Sequence, residues 1–256
     1  RSLYVFAGEA NVGKSIFLGN IACNIASKGK TVLVISLEMS EMIYARRLSS
    51  NITRIPMREL KGAGQSLSAQ IKSYNNGKPN SKILIKEVPP STVTPQNIQG
   101  YITELKNRGI KVDAVVLDYL NLLKSPLGDN SYERVKHVAE GIRALSYVFE
   151  CPFISATQLN RSGYDEANPG LDTISESIGM AATADCIFSI FQDDEDKELG
   201  IVKMGMMKNR YGANYGQTAL RLDYNTLTIS EDETLNVDDE GSDMSDLTNT
   251  LSMLSN

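Results

Sequence analysis

The sequence holds 256 residues, 41% hydrophobic, 22% charged and 7% aromatic, with no tryptophan and a net charge of −5. This is the composition of an ordinary soluble globular protein, large enough for one sizeable core or two small ones. It argues against a surface coated in basic residues, and no apolar run reaches the roughly 20 residues that cross a bilayer, so no membrane partner is expected.

In chain order, short β-branched apolar runs alternate with longer helical patterns. Residues 3–7 read as a strand, and 15–27 as a helix with apolar residues at helical spacing. Residues 31–37 (TVLVISL) are a continuous buried-type strand, followed by a helix over 40–51. A shorter strand at 82–87 is ended by Pro89 and Pro90, and a helix over 95–108 leads into a strand at 112–117 too apolar to have a wet face. A long helix over 132–149 precedes a strand at 153–156. This alternation predicts an α/β fold whose mostly parallel central sheet is covered by helices on both faces. After residue 184 the strand-like runs 187–191, 199–208, 217–222 and 227–229 are separated by turn residues, and an antiparallel C-terminal extension of the same sheet is expected.

Residues 231–256 carry eight Asp or Glu and no Lys or Arg, which leaves the body of the chain near +3. A disordered acidic tail is expected there, either inert or with a short docking helix at Leu247, Leu251 and Leu254. Cys23, Cys151 and Cys186 each lie inside an apolar run with no metal or redox spacing, as reduced core residues of a cytosolic protein would. No signal peptide is expected, and Arg1 in place of Met leads us to expect a fragment.

The strongest chemical signal is Gly8-Glu9-Ala10-Asn11-Val12-Gly13-Lys14-Ser15, with Ile16 beginning the helix behind it. Two glycines let the backbone curl so that its N–H groups point at phosphate oxygens; Lys14 reaches the β- and γ-phosphates, and the Ser15 hydroxyl ligates Mg²⁺. Such a string arises by chance in roughly one chain of this length in a hundred, and here a strand precedes it and a helix follows.

Asp118 ends the strand Val115-Val116-Leu117, where a carboxylate faces the ligand crevice and can hold the Mg²⁺ shell. Asp113, at the head of that strand, suits a cap or ion pair at the opposite edge. Glu38 ends the second strand beside the phosphate loop, placed to polarise the water attacking the γ-phosphate, to cap a helix, or simply to lie exposed at the surface. Gln158, after the next strand, is either a neutral sensor of the γ-phosphate or a polar loop residue. Lys208 and Arg210 end a late strand and point away from this chain's own phosphates. They suit cations that complete a neighbour's site in trans, or a solvated basic turn.

The strings GEANVGKS, ISLEMS, VVLDYLNLL, ATQLNR and MKNRYG, in this order and spacing, resemble the RecA-type motor domain of DnaB-like hexameric replicative helicases. The stretches 130–145 and 174–185 are similar to the members from T-even phages in particular. The resemblance covers residues 1–230, leaving 231–256 as tail. It implies ATP and Mg²⁺ as ligands, with Lys14 and Ser15 as Walker A, Glu38 as catalytic base, Asp118 as Walker B and Gln158 as γ-phosphate sensor. Lys208 and Arg210 would act on the adjacent subunit's nucleotide. Loops at 159–173 and 174–183 would hold single-stranded DNA, with Arg161, Ser175, Glu176, Ser177 and Gly179 as contacts. Where bacterial members carry Arg-Glu-Ser-Gly, this chain has Ser175-Glu176-Ser177-Ile178, so backbone contacts would replace an arginine. Lys203 is a further candidate for charge near the DNA path, or an ordinary surface lysine. His137 reads as a helix-face residue, and Met204, Met206 and Met207 as sheet packing.

The implied function is an ATP-dependent DNA-unwinding motor, working as a hexameric ring in a bacterial host's cytoplasm, with a primase and a helicase loader as family partners. A filament-forming RecA/RadA-type recombinase and a KaiC-like regulatory ATPase are the alternatives. The family's N-terminal domain and linker helix are not in this sequence, so ring formation by this stretch alone is in question.

Overall fold

In the computed structural model, the described residues are 1–125, 130–159, 178–213, 216–232 and 234–235. Their elements are β1 Leu3–Gly8, α1 Lys14–Ser27, β2 Thr31–Ser36, α2 Glu41–Thr53, α3 Gly64–Asn75, β3 Lys82–Glu87, α4 Pro95–Asn107, β4 Ala114–Asp118, α5 Ser131–Val148, β5 Phe153–Gln158, α6 Ile178–Thr183, β6 Cys186–Phe191, α7 Asp194–Leu199, β7 Ile201–Asn209, β8 Gln217–Asp223 and β9 Thr228–Glu231. A 3₁₀ turn, Leu120–Leu122, follows β4.

One nine-stranded sheet runs in the order β3-β2-β4-β5-β1-β6-β7-β8-β9. Every pairing from β3 to β6 is parallel, and every pairing from β6 to β9 antiparallel. The expected α/β fold with an antiparallel extension is therefore present, with one correction. β6 runs parallel to β1, so the antiparallel part starts only at β7. Its sequence, CIFSIF, is apolar apart from the buried Ser189, as befits a strand covered on both faces.

The alternation of side chains across the sheet explains that character throughout. Leu33, Ile35, Val115 and Leu117 point into one core with Ile98, Ile102 and Ile142 of α4 and α5. Val32, Val34 and Val116 point into the other, with Leu18 and Ala22 of α1 and Leu48 of α2. A strand that is wet on neither face has no polar positions to alternate.

Local chemistry sets the boundaries of the helices. Ser40 accepts from the Ile43 N–H at the start of α2, and Thr94 and Asn97 form a reciprocal capping box ahead of Pro95 in α4. Helix α3 was not expected from the sequence, and it buries none of its residues. The run expected at 199–208 divides into the end of α7 and β7, turning at Gly200 with φ 65°. A Cβ there would lie 2.8 Å from the Leu222 carbonyl oxygen, so glycine is required. Met204, Met206 and Met207 are buried as anticipated, and the three cysteines are buried and free.

Candidate active site

The carboxyl ends of the parallel strands converge on one cleft. Gly8 ends β1 opposite Gln158 of β5, and Asp118 ends β4 opposite Ser36 of β2. The Leu37 N–H then donates to the Asp118 carbonyl at 2.8 Å, fixing the step that delivers Glu38. A cleft of about 370 Å³ opens there, lined by the loop residues Ala10, Asn11, Gly13, Lys14, Ser15 and Ile16 together with Glu38, Met39, Arg47, Tyr119 and Gln158. That size suits a small molecule.

The loop between β1 and α1 needs left-handed backbone at Asn11 (φ 65°) and Gly13 (φ 93°). Glycine accepts this freely, and asparagine does so more readily than most residues. At Gly8 the constraint is steric: a Cβ would meet the Ile190 carbonyl oxygen and Val12 Cγ1, each at 2.7 Å. Helix α1 begins without a side-chain cap. Its first-turn N–H groups and positive dipole end therefore face the cleft as an anion-binding surface.

Lys14 Nζ donates to the carbonyls of Gly8, at 3.0 Å, and Glu9. Burial lowers its pKa, against the nearby charges of Glu38, Asp118 and Glu9, which raise it. A cation so desolvated gains most from an incoming polyanion. Beneath it, Ser15 Oγ donates to Asp118 Oδ1 at 3.1 Å. Asp118 is 1% exposed, and its Oδ2 has no hydrogen-bond partner among the described residues. Burial pushes its carboxyl up from 3.8 to about 6; Glu38 adds to the rise, while the Ser15 bond, Arg47 and Lys14 oppose it. A buried carboxylate with an orphaned oxygen beside a serine hydroxyl fits a hard divalent cation.

Glu38 is exposed at the mouth of the cleft, as is Gln158. Glu38 does not cap α2, since Ser40 fills that position. Sequence reasoning missed Arg47, on the face of α2 that turns toward the cleft. The only signal was its position on a helix that starts beside Glu38.

Asp113 sits at the opposite edge as expected, accepting from the Thr31 N–H at 2.9 Å and pairing with Lys111 at 3.6 Å. Lys208 and Arg210 lie at that edge too. In register, Cys186 pairs with both Tyr4 and Asn209, whereas the phosphate loop leaves β1 at Gly8. Four strand residues span roughly 13 Å, so neither cation serves its own chain's loop. The two also have different duties. Lys208 Nζ donates to the carbonyls of Ala181, Ala182 and Ala184 at 2.7, 3.2 and 2.8 Å, which caps the end of α6 and occupies all three of its protons. The Arg210 side chain donates once among the described residues, to Asp185, and is 41% exposed.

Lys203 is not free to face a nucleic acid: it pairs with Asp196 at 2.9 Å and Asp193 at 3.6 Å. His137 is a helix-face residue 3.7 Å from Glu140. Gly179 is buried, and a Cβ on it would meet Lys136 Cβ at 2.6 Å, so its smallness lets α6 approach α5. Arg161, Ser175, Glu176 and Ser177 lie outside the described residues, as do 236–256.

The family model described as the DnaB-like helicase C-terminal domain matches residues 1–230. The DnaB-like replicative helicase of Enterobacteria phage T4 is 26% identical over 219 residues, 82% of this chain and 46% of that protein. The replicative DNA helicase DnaB of Pasteurella multocida is 29% identical over 223 residues, covering 81% of this chain and 47% of its own length. The chain thus spans about half the length of the curated relatives it matches. Two solved structures share the fold. One, described as an ATPase domain, superposes with TM-score 0.78 at 23% identity over 91% of this chain and 85% of its own. The other, a DnaB-like replicative helicase described with its interactions with primase, gives 0.76 at 21% identity over 90% of this chain and 57% of its own.

Proposed function

This chain belongs to the DnaB-like helicase C-terminal domain family, and on that premise we propose that it is the ATP-hydrolysing motor of a hexameric replicative DNA helicase, advancing along single-stranded DNA. One observation carries this reading. Lys14, Ser15, Asp118, Glu38 and Gln158 converge on a single cleft, while the exposed cation Arg210 stands at the opposite edge of the same sheet. Each chain then owns half of a hydrolytic site and offers the other half to a neighbour.

In that scheme the phosphates lie on the loop and the first turn of α1, and Lys14 exchanges its two carbonyl acceptors for phosphate oxygens. Ser15 and Asp118 are the residues to hold Mg²⁺, which would supply charge neutralisation at the phosphates. Glu38 orients and polarises the attacking water, and Gln158 reports the γ-phosphate to the segment that follows β5. Arg47 adds positive charge on the α2 side of the cleft. Arg210 of an adjacent copy meets the charge that develops at the transferred phosphoryl group. Lys208, held as a helix cap, is assigned a supporting role.

Arg161, Ser175, Glu176 and Ser177 remain the residues proposed to meet DNA, through backbone and phosphate contacts that carry no base preference. Residues 231–256 are proposed as an acidic appendage outside the motor. Primase is proposed as a partner by extension from the solved relative, and a helicase loader by extension from the family. No helix among the described residues is long and apolar enough to cross a membrane; a site of action in the host cytoplasm is proposed. A match to a helicase family over residues 1–230 does not favour the recombinase or the regulatory ATPase.

The test is ATP turnover with and without single-stranded DNA. We expect marked stimulation by DNA, whereas turnover indifferent to DNA would count against a DNA motor.

A further inference from the structure

We propose that Asp185 is the positioning residue for Arg210, holding its guanidinium at the subunit edge in the pose that completes a neighbouring copy's nucleotide site. This rests on the trans role proposed for Arg210.

The Asp185 side chain is fully buried and faces two cations. Arg143 reaches it through Nε, at 3.2 and 3.1 Å from the two oxygens, and through Nη2 at 2.9 Å from Oδ1. That fork alone meets the charge of a buried carboxylate. Arg210 adds a second positive charge through Nη1 at 2.8 Å, so the cluster carries net charge +1 at the surface. An ion pair that served folding alone has no need of this second cation.

The tether is geometrically selective. Arg210 commits one nitrogen to Asp185, and no other side-chain hydrogen bond from it is found among the described residues. Nε and Nη2 remain available to an anion approaching from outside. A free arginine would spread over many rotamers, and ordering it in the transition state would cost entropy; a single anchored nitrogen removes much of that cost in advance.

The anchor is itself fixed. The Arg210 N–H donates to the Asp185 carbonyl at 2.9 Å, and the Asp185 N–H to the Leu3 carbonyl at 2.9 Å. Leu3 N–H returns a bond to Asp185 Oδ2 at 3.0 Å. Asp185 thus joins Arg210 to the first residue of β1, the strand whose far end carries the phosphate loop. The half-site this chain offers and the half-site it owns share one rigid strand.

The experiment measures DNA-stimulated ATP turnover of Asp185→Asn in the assembled protein, beside Arg210→Ala. We expect Asp185→Asn to lower kcat about 10- to 100-fold with little change in KM, the signature of a misplaced transition-state contact. Its own nucleotide site stays intact, so mixing it with Lys14→Ala subunits, which keep Asp185 and Arg210, restores turnover. Wild-type or raised turnover of Asp185→Asn overturns the proposal, and so does a loss by the folded variant that mixing fails to restore, which would mark damage to its own nucleotide site. If Asp185→Asn does not fold, Asp185→Glu keeps the charge but shifts the carboxylate by roughly 1.5 Å. The same restorable loss is expected of it, and full activity overturns the proposal. Wild-type turnover of Arg210→Ala would instead defeat the trans reading itself, so the two failures are distinguishable.

Discussion

Ser15 Oγ donates to Asp118 Oδ1 at 3.1 Å, and the other oxygen of that buried carboxylate has no partner among the described residues. The phosphate loop and the central strand β4 are thus joined through a carboxylate only half satisfied by the protein. Burial holds its pKa near 6, above the ordinary 3.8. Between those two values the folded protein binds a proton that the unfolded chain releases. The stability of the ligand-free protein therefore falls as pH rises from about 4 to about 6, and stays lower above that, by about 3 kcal/mol. Asp118→Asn removes this contribution. Urea denaturation of both proteins from pH 4.5 to 7 should show the variant gaining relative to wild type as pH rises. Parallel curves would contradict the assignment.

Lys14 is held by the carbonyls of Gly8 and Glu9 within its own loop. Lys14→Ala should leave the fold intact and weaken nucleotide binding by about 100-fold, the loss of roughly 3 kcal/mol of charge-assisted hydrogen bonding. Titration with a fluorescent ATP analogue checks this, and unchanged affinity would remove Lys14 from the site.

Glu38 lines the cleft but makes no hydrogen bond to the loop residues in the structure described. Glu38→Gln should therefore bind ATP close to normally while turnover drops by about 10²- to 10⁴-fold, the range for loss of a general base. Single-turnover hydrolysis separates the two effects, and turnover at the wild-type rate would exclude Glu38 as the base.

Gly8 is packed under the Ile190 carbonyl and Val12. Gly8→Ala should destabilise the protein by about 1–3 kcal/mol and weaken nucleotide binding as the loop shifts. Thermal denaturation reads the first effect, and an unshifted Tm would show that the loop can move at no cost.

These residues differ in how visibly the sequence announced them. The phosphate loop is a contiguous string whose spacing carries its own chemistry, so its place was legible. Asp118, Glu38 and Gln158 were legible as the last residues of apolar runs, because parallel strands deliver their carboxyl ends to one edge. Arg47 was not, since it enters the cleft from the middle of a helix and depends on how α2 packs against α1. Helix α3 fully buries none of its residues, and its apolar stripe is only the half-buried Leu67, Ile71 and Tyr74, too short to announce it; the Tyr74 hydroxyl, bonded to the Cys23 carbonyl at 2.6 Å, ties it down. Lys208 and Arg210 look alike in sequence, and only the neighbouring carbonyls of α6 and the carboxylate of Asp185 distinguish a cap from an outward-facing cation.

The claim that each nucleotide site is shared between two chains is tested most directly by subunit mixing. Arg210→Ala and Lys14→Ala should each be inactive alone in the assembled protein with single-stranded DNA. Mixed, they should recover turnover, because the intact Arg210 of Lys14→Ala subunits serves the intact loops of Arg210→Ala subunits. Full activity of Arg210→Ala alone, or no recovery on mixing, would contradict the shared site.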